Sequence, residues 1–323
     1  MDSADARGPI AGTLAVVPYR APIPDELRGR PFTAAMAERA GVPSRRLRNS
    51  SYRRMYRDVY VVAGEPECLH LRCQAALLAL PPGSALSHDS VLEVTGLCDG
   101  EPGGVVHVST QPGTWRPRTQ PGLVVHERSD AFTVVTAQGL PATGPARTLV
   151  DVAPSRTPDE LVVVSDHLLR RVGGLDAMVA GLAAEAGRRH VRQAREAVTR
   201  SREGVDSPPE TWLRLAIVAH GLPEPEVNLL VKDRAGEWLG RSELGYRRFR
   251  ILIQYEGDVH RTNPRRWRQD IARDESYMDE DWRVLRATAD DVNRPRNFCN
   301  RVEREIERAI RRQTPRDLGG TAA

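Results

Sequence analysis

Five residues near the carboxy-terminal end have the types and the spacing of a site that cleaves phosphodiesters. Glu210 opens a predicted helix and Glu243 falls on a predicted strand. The next strand ends in QYEGDVH, which contributes Gln254, Glu256 and His260. Hydrolysis of a phosphodiester needs a divalent cation, and hard cations such as Mg²⁺ bind carboxylate oxygens. The pattern predicts Mg²⁺ or Mn²⁺ bound by Glu243 and Glu256, with His260 moving a proton.

The elements that must position these residues follow from local patterns. ETWLRLAIVAHGL predicts a helix that begins after Ser207, a residue type suited to cap its first turn. The segment that follows predicts strands joined by a turn at 234–236, and Ile251–Tyr255 predicts a buried strand. Acids at the ends of such strands gather at one edge of a sheet. The sequence therefore predicts an α/β domain with an acidic edge.

Arginine is concentrated directly after the acidic residues. The loop RTNPRRWRQ follows His260 and is expected to neutralise the phosphates of a bound duplex. The arginines predicted to contact DNA there are Arg261, Arg265 and Arg266.

A second basic cluster lies near the amino-terminal end. FTAAMAERA predicts a helix, residues 41–43 break it, and Ser44 begins a second helix in SRRLRNSS. YRRMYRDVYVV predicts a wing strand or hairpin, so the unit is interpreted as a winged helix that binds double-stranded DNA. A small helical subdomain with a solvated basic face remains the alternative. The predicted DNA contacts are Arg45, Arg46 and Arg48 on the second helix and Arg53 and Arg54 on the wing.

Composition and length exclude some classes of protein. The chain has 323 residues, of which 40% are hydrophobic and 28% charged, and its formal net charge is +4. No apolar run approaches the roughly 18 residues that cross a bilayer, so we expect a cytoplasmic protein with no membrane partner. The four cysteines form no CxxC pair, which favours reduced structural thiols. His88, His107, His126 and His167 lie far apart in sequence and are expected to be structural.

The predicted fold class is a multidomain α/β protein. It combines a winged helix-turn-helix, a mixed α/β and helical middle region, and a restriction-endonuclease-like carboxy-terminal domain. The boundaries are a flexible arm at 1–30, the winged helix at 31–64, the middle region at 65–203, the nuclease-like domain at 204–313 and a disordered tail at 314–323.

The carboxy-terminal motifs support a family resemblance. A helical Glu, an acid on a strand, QYEGDVHR, an Arg-rich helix and DWRVLRAT together resemble bacterial proteins related to very-short-patch-repair endonucleases. The resemblance covers about residues 206–310 and implies a restriction-endonuclease-like fold. The amino-terminal half separately resembles actinobacterial proteins that join an antitoxin-like, AbiEi-type winged helix to this nuclease-like end.

One departure from the family pattern bears on activity. Nucleases of this fold usually present Asp or Glu followed two residues later by Lys, whereas here the corresponding residues are Gln254 and Glu256. Related short-patch-repair enzymes also lack that lysine and rely on His. The leading hypothesis is a metal-dependent DNA endonuclease. The alternative is a non-catalytic DNA-binding regulator of the antitoxin-repressor kind, with a cognate toxin or a second copy of the chain as an unresolved partner.

Overall fold

The structure, a computed structural model, describes residues 22–99, 103–113, 120–257 and 275–313. Within these ranges the chain forms three separate β-sheets surrounded by helices, so the predicted α/β multidomain class is confirmed. No helix of the described ranges combines the length and the apolar content that crossing a bilayer requires.

The first unit is a three-stranded antiparallel sheet with one short helix. Its strands pair in the order β1-β3-β2. Leu27, which the sequence assigned to the arm, is 1% exposed and packs in the core of this unit with Phe32 and Leu47. The elements are β1 (Phe32–Thr33), α1 (Ala34–Arg39), β2 (Tyr52–Tyr56) and β3 (Val59–Val62).

The second helix of this unit differs from the expectation. Ser44–Arg48 is a 3-10 helix, and Pro43 rather than Ser44 occupies the cap position. Leu47 is its one buried residue, so a single turn is enough to bring that side chain into the core. The backbone N–H of Ser51 then donates to Oδ1 of Asn49 at 2.8 Å, and this side-chain turn ends the helix.

The middle region begins with a five-stranded mixed sheet in the order β6-β5-β4-β8-β7. The pairs β5–β6 and β4–β8 are parallel, and the other two are antiparallel. Val106 and Val108 of β5 are fully buried against the apolar side of α2. The elements are α2 (Leu69–Leu78), β4 (Ala85–Leu86), α3 (Asp89–Val94), β5 (Val106–Thr110), β6 (Leu123–Glu127), β7 (Val134–Ala137) and β8 (Leu140–Thr143).

Four helices complete the middle region, and apolar residues at three- and four-residue spacing in PARTLVDVA, PDELVVVSDHLLRRV and LDAMVAGLAAEAG predict the first three of them. A capping box between Thr157 and Glu160 starts the longest helix, and Gly173, with φ of 86°, ends it. Apolar residues at three- and four-residue spacing form the shared core of this bundle. The helices are α4 (Pro145–Val152), α5 (Pro158–Val172), α6 (Leu175–Ala184) and α7 (Val191–Arg200).

The third sheet carries the predicted acidic residues. Its strand order is β12-β11-β10-β9, with β11 and β12 parallel and the other pairs antiparallel. Two helices cover one face, and Tyr277 and Trp282 pack on the other. The elements are α8 (Pro208–Ala219), β9 (Glu226–Lys232), β10 (Trp238–Tyr246), β11 (Ile251–Tyr255), β12 (Arg283–Ala287), α9 (Ala289–Asn293) and α10 (Arg296–Gln313), with a further helical stretch at 275–279.

A buried ion pair ties α8 to the helices of the middle region. Nη2 of Arg214 lies 3.0 Å from Oδ2 of Asp166, and both side chains are almost fully buried. The hydroxyl of Thr211 donates to the same oxygen at 2.8 Å. α8 also packs on the third sheet. Glu210, in the first turn of α8, is therefore fixed between the middle region and that sheet.

Candidate functional site

Glu210 lies in the first turn of α8 and is 3% exposed. Its Oε2 accepts a hydrogen bond from the backbone N–H of Asp206 at 3.0 Å, and its Oε1 accepts one from the Ser207 hydroxyl at 2.7 Å. Ser207 occupies the cap position, but its side chain makes no capping bond to α8 because it is directed to Glu210 instead. Burial raises the pKa of Glu210 above its ordinary value.

Glu243 lies on β10 and is half-buried. Its Oε2 accepts a 2.6 Å hydrogen bond from the backbone N–H of Tyr255, which fixes the carboxylate against the end of β11. Burial raises the pKa of Glu243 to about 7, and the charge of Glu210 adds to the increase. The Tyr255 bond and Arg241 act in the opposite direction and lower it. Glu243 and Glu210 are therefore electrostatically coupled.

Gln254 and Glu256 have different surroundings from Glu243. Gln254 is half-buried and aligns with Arg286 of β12 in the parallel ladder. The backbone N–H of Glu256 extends that ladder by donating to Ala287 O at 2.7 Å. The Glu256 carboxylate forms an ion pair with the Arg286 guanidinium, and its side chain is 41% exposed. A metal ion could bind the Glu256 carboxylate only in competition with the Arg286 guanidinium.

The structure thus places Glu243 near enough to Glu210 for the Glu210 charge to raise its pKa, with Gln254 on the neighbouring strand. Within the described ranges, Glu210, Glu243 and Glu256 do not form a group of three with donor atoms inside 4.8 Å of one another. His260 and the three arginines predicted to follow it fall outside the described residues, namely Arg261, Arg265 and Arg266.

The predicted amino-terminal DNA contacts are distributed over the 3-10 helix and β2. Arg45 and Arg48 are exposed, whereas Arg46 is half-buried. Nη1 of Arg53 lies 2.5 Å from Oε2 of Glu67, and Nε of Arg54 donates to Tyr56 O at 3.2 Å. Arg45 and Arg48 of the 3-10 helix therefore present their charges to solvent. The two arginines of β2 instead bind neighbouring groups of the protein.

A basic groove lies between β12 and α10. Its volume is about 390 Å³, and five arginines and one glutamate line it together with two apolar residues. The arginines are Arg283, Arg286, Arg301, Arg304 and Arg308. Arg286 lines the groove and also pairs with Glu256, so the groove borders the end of β11. Sequence analysis did not identify this groove because its arginines come from two segments that meet only in the fold.

Three histidines that were expected to be structural and separate converge in the middle region. Among the described residues, His88, His107 and His126 are the group of three metal-ligating side chains whose donor atoms all lie within 4.8 Å of one another. Nδ1 of His107 lies 3.0 Å from Nε2 of His126, and the rings of His88 and His126 stack with centroids 3.7 Å apart. The available signal was that two strand-like segments of the sequence, VVHVST and LVVHERS, each carry one histidine.

The backbone and the surrounding charges shape this cluster. His88 has φ of 52° and ψ of −136°, a conformation that costs a non-glycine residue about 1–3 kcal/mol and is often found at functional sites. Burial, the neighbouring histidines and Arg128 together lower the pKa of His88 to about 3 and that of His126 to about 4. Burial also lowers the pKa of His107. The three rings are therefore neutral near pH 7.

Comparisons with known proteins give relatives without a stated activity. No family model matches the chain. Two uncharacterised proteins of Mycobacterium tuberculosis, from two strains, are each 28% identical over 265 residues, which covers 81% of this chain and 95% of the relative. A crystal structure of a further M. tuberculosis protein aligns with 55% of this chain and 78% of its own, at 18% identity and a TM-score of 0.31. The function is therefore argued from the sites themselves.

Proposed function

We propose that this protein is a cytoplasmic DNA-binding protein whose carboxy-terminal domain is a metal-dependent DNA endonuclease with a restriction-endonuclease-like fold. The observation that carries the proposal is that two carboxylates, Glu210 on α8 and Glu243 on β10, are each held by hydrogen bonds on elements that pack against each other. Burial and the charge of Glu210 raise the cost of ionising Glu243, and a bound divalent cation would offset that cost because it compensates the negative charges.

The arrangement of the acids supports this reaction. The backbone N–H groups and the hydroxyl that bind Glu210 and Glu243 hold both carboxylates in fixed positions before any cation arrives. Gln254, on the strand beside Glu243, can add a neutral carbonyl oxygen, which Mg²⁺ accepts as a weaker ligand. A Mg²⁺ or Mn²⁺ ion bound by Glu243 would polarise the scissile phosphate and activate water.

The basic groove supplies the second requirement, a place for the phosphate backbone. Its five arginines lie between β12 and α10, and one of them adjoins the end of β11 through its pair with Glu256. Guanidinium groups bind phosphate oxygens with two parallel hydrogen bonds. The exposed Arg45 and Arg48 of the amino-terminal unit would add phosphate contacts if that unit is a winged helix.

A second candidate is a non-catalytic DNA-binding regulator of the antitoxin-repressor kind. The pair between Glu256 and Arg286 favours it, because a guanidinium occupies a carboxylate that the enzyme would need for metal. Gln254 favours it too, since an amide carries no negative charge for a cation. In this reading the sheet and its groove bind DNA without cleaving it, and a toxin protein or a second copy of the chain completes the assembly.

The experiment that separates the two is plasmid nicking across a titration of Mg²⁺ and of Mn²⁺. We expect metal-dependent nicking by the full-length protein and its loss in Glu243→Ala, because that change removes a metal ligand. Gln254→Glu should lower the metal concentration needed, because it adds a negative oxygen donor next to the ion.

Glu237→Ala serves as the matched control, since Glu237 is an exposed glutamate in the turn before β10. It should nick plasmid as the wild-type protein does. Equal nicking by the wild-type protein and Glu243→Ala would refute the proposed site. Salt-sensitive duplex binding without nicking, even for Gln254→Glu, would establish the regulator instead.

A further inference from the structure

The histidine cluster lies in the middle region, on elements that contribute nothing to the carboxy-terminal acids. His107 on β5 and His126 on β6 are on one face of the sheet, because the parallel register aligns Ser109 with His126 and His107 with Val124. His88 lies two residues beyond the end of β4 and stacks on His126. Three imidazoles from three successive segments therefore meet at one point.

We propose that His88, His107 and His126 bind one divalent transition-metal ion, Zn²⁺ being the ion this ligand set suits best. Imidazole nitrogen is a ligand for Zn, Cu, Fe and Ni, whereas Mg²⁺ takes oxygen. The site is therefore distinct in place and in chemistry from the carboxylates of the third sheet.

The distances fit such an ion. A tetrahedral Zn²⁺ with Zn–N bonds of about 2.0–2.1 Å holds its nitrogen ligands about 3.3 Å apart. Nδ1 of His107 and Nε2 of His126 are 3.0 Å apart, and each of the three histidines has a donor atom within 4.8 Å of those of the other two. Because the rings of His88 and His126 are stacked, they would rotate about their side-chain bonds to direct all three nitrogens at a common centre.

Polar groups beside His88 resemble the outer shell of a metal site, in which a second residue binds and orients each ligand. The hydroxyl of Ser87 lies 3.1 Å from Nδ1 of His88, and Oδ2 of Asp151 lies 4.0 Å from the same nitrogen. Arg128 pairs with Asp151 and holds that carboxylate in place. A polar partner at Nδ1 orients the ring and leaves Nε2 of His88 for the ion, as carboxylate–histidine pairs do in zinc proteins.

The cluster also has access to solvent. His88, Arg128, Arg147 and Asp151 line an open cleft with a volume of about 450 Å³. An ion can enter through this cleft, and three protein ligands leave a fourth coordination position for water.

Metal binding by the full-length protein tests the proposal. Protein freed of metal with a chelator is titrated with Zn²⁺ in competition with a chromophoric chelator, and Co²⁺ is used as a spectroscopic probe. We expect one ion per chain and a visible Co²⁺ spectrum without a thiolate charge-transfer band. His107→Gln and His126→Gln should each weaken Zn²⁺ binding by more than about 100-fold, because loss of an outer-shell partner alone costs 10–100-fold.

His70→Gln is the matched control, since His70 is an exposed histidine on α2. It should bind Zn²⁺ as the wild-type protein does. Far-ultraviolet circular dichroism verifies that each variant is folded. If a variant does not fold, the Co²⁺ spectrum of the wild-type protein still distinguishes histidine ligands from cysteine ligands. The proposal is overturned if the wild-type protein binds no Zn²⁺, if His126→Gln binds it equally well, or if a thiolate band shows that cysteines are the ligands.

Discussion

Replacing Glu243 by Gln should make the carboxy-terminal domain more stable at alkaline pH. The pKa of Glu243 is raised to about 7, chiefly by burial and further by the charge of Glu210. Above that pH the wild-type domain holds a negative charge in an unfavourable position. Glutamine has no charge, yet its side-chain oxygen can still accept the hydrogen bond from the backbone N–H of Tyr255.

The magnitude follows from the raised pKa. A change from 4.5 to about 7 corresponds to about 3 kcal/mol between the two protonation states. Glu243 is half-buried, so solvent screening reduces this to about 1–2 kcal/mol. Because the folded-state pKa is the higher one, the stabilisation from the protonated form is complete below pH 4.5 and is lost as the pH rises through about 7. Glu243→Gln should therefore keep the domain from losing stability over this pH range, because glutamine does not ionise.

Urea denaturation monitored by tryptophan fluorescence measures the effect. Of the five tryptophans, four lie in residues 204–313, so the signal reports mainly on this domain. The difference in unfolding free energy between Glu243→Gln and the wild-type protein should increase by about 1–2 kcal/mol between about pH 4.5 and pH 8.5. Glu237→Gln, an exposed change, should show no such trend.

Mg²⁺ extends the same test. At about pH 8.5 the ion should stabilise the wild-type domain and leave Glu243→Gln unaffected, because binding to the native state alone adds to its stability. A pH-independent difference between variant and wild type would refute the raised pKa of Glu243. Equal stabilisation of both proteins by Mg²⁺ would refute Glu243 as a ligand.

Two further predictions concern other parts of the chain. Asp166→Asn should lower the unfolding free energy, measured by urea denaturation, by about 3 kcal/mol, because it removes one of the two carboxylates that pair with the buried Arg214 guanidinium. This loss of stability should lie at the lower end of the usual range, because Glu224 still contacts Arg214 at 2.9 Å. An unchanged urea midpoint would contradict the prediction. Arg45→Ala with Arg48→Ala should weaken duplex binding and reduce the salt slope by about 2, at about 0.9 per phosphate contact. A salt slope equal to that of the wild-type protein would show that neither arginine contacts the DNA phosphates.

Many elements could be predicted because their patterns are local. Apolar residues at three- and four-residue spacing indicated α5 and α6. The run Ile251–Tyr255 indicated a buried strand and forms β11. The helix at Ser44–Arg48 was predicted at its position but not as a 3-10 helix ending at Arg48, because the packing of one leucine, and not composition, determines its length.

The sequence by itself determined which chemical groups are available and on which elements they lie. Glu210 was placed at a helix start and Glu243 on a strand, and both lie there. The tertiary structure alone decided which groups meet. It coupled Glu243 to Glu210, paired Glu256 with Arg286, and joined three histidines that are 19 or more residues apart along the chain. The reason is physical: periodicity and capping act over a few residues, whereas strand register and a positive φ at His88 bring distant side chains together.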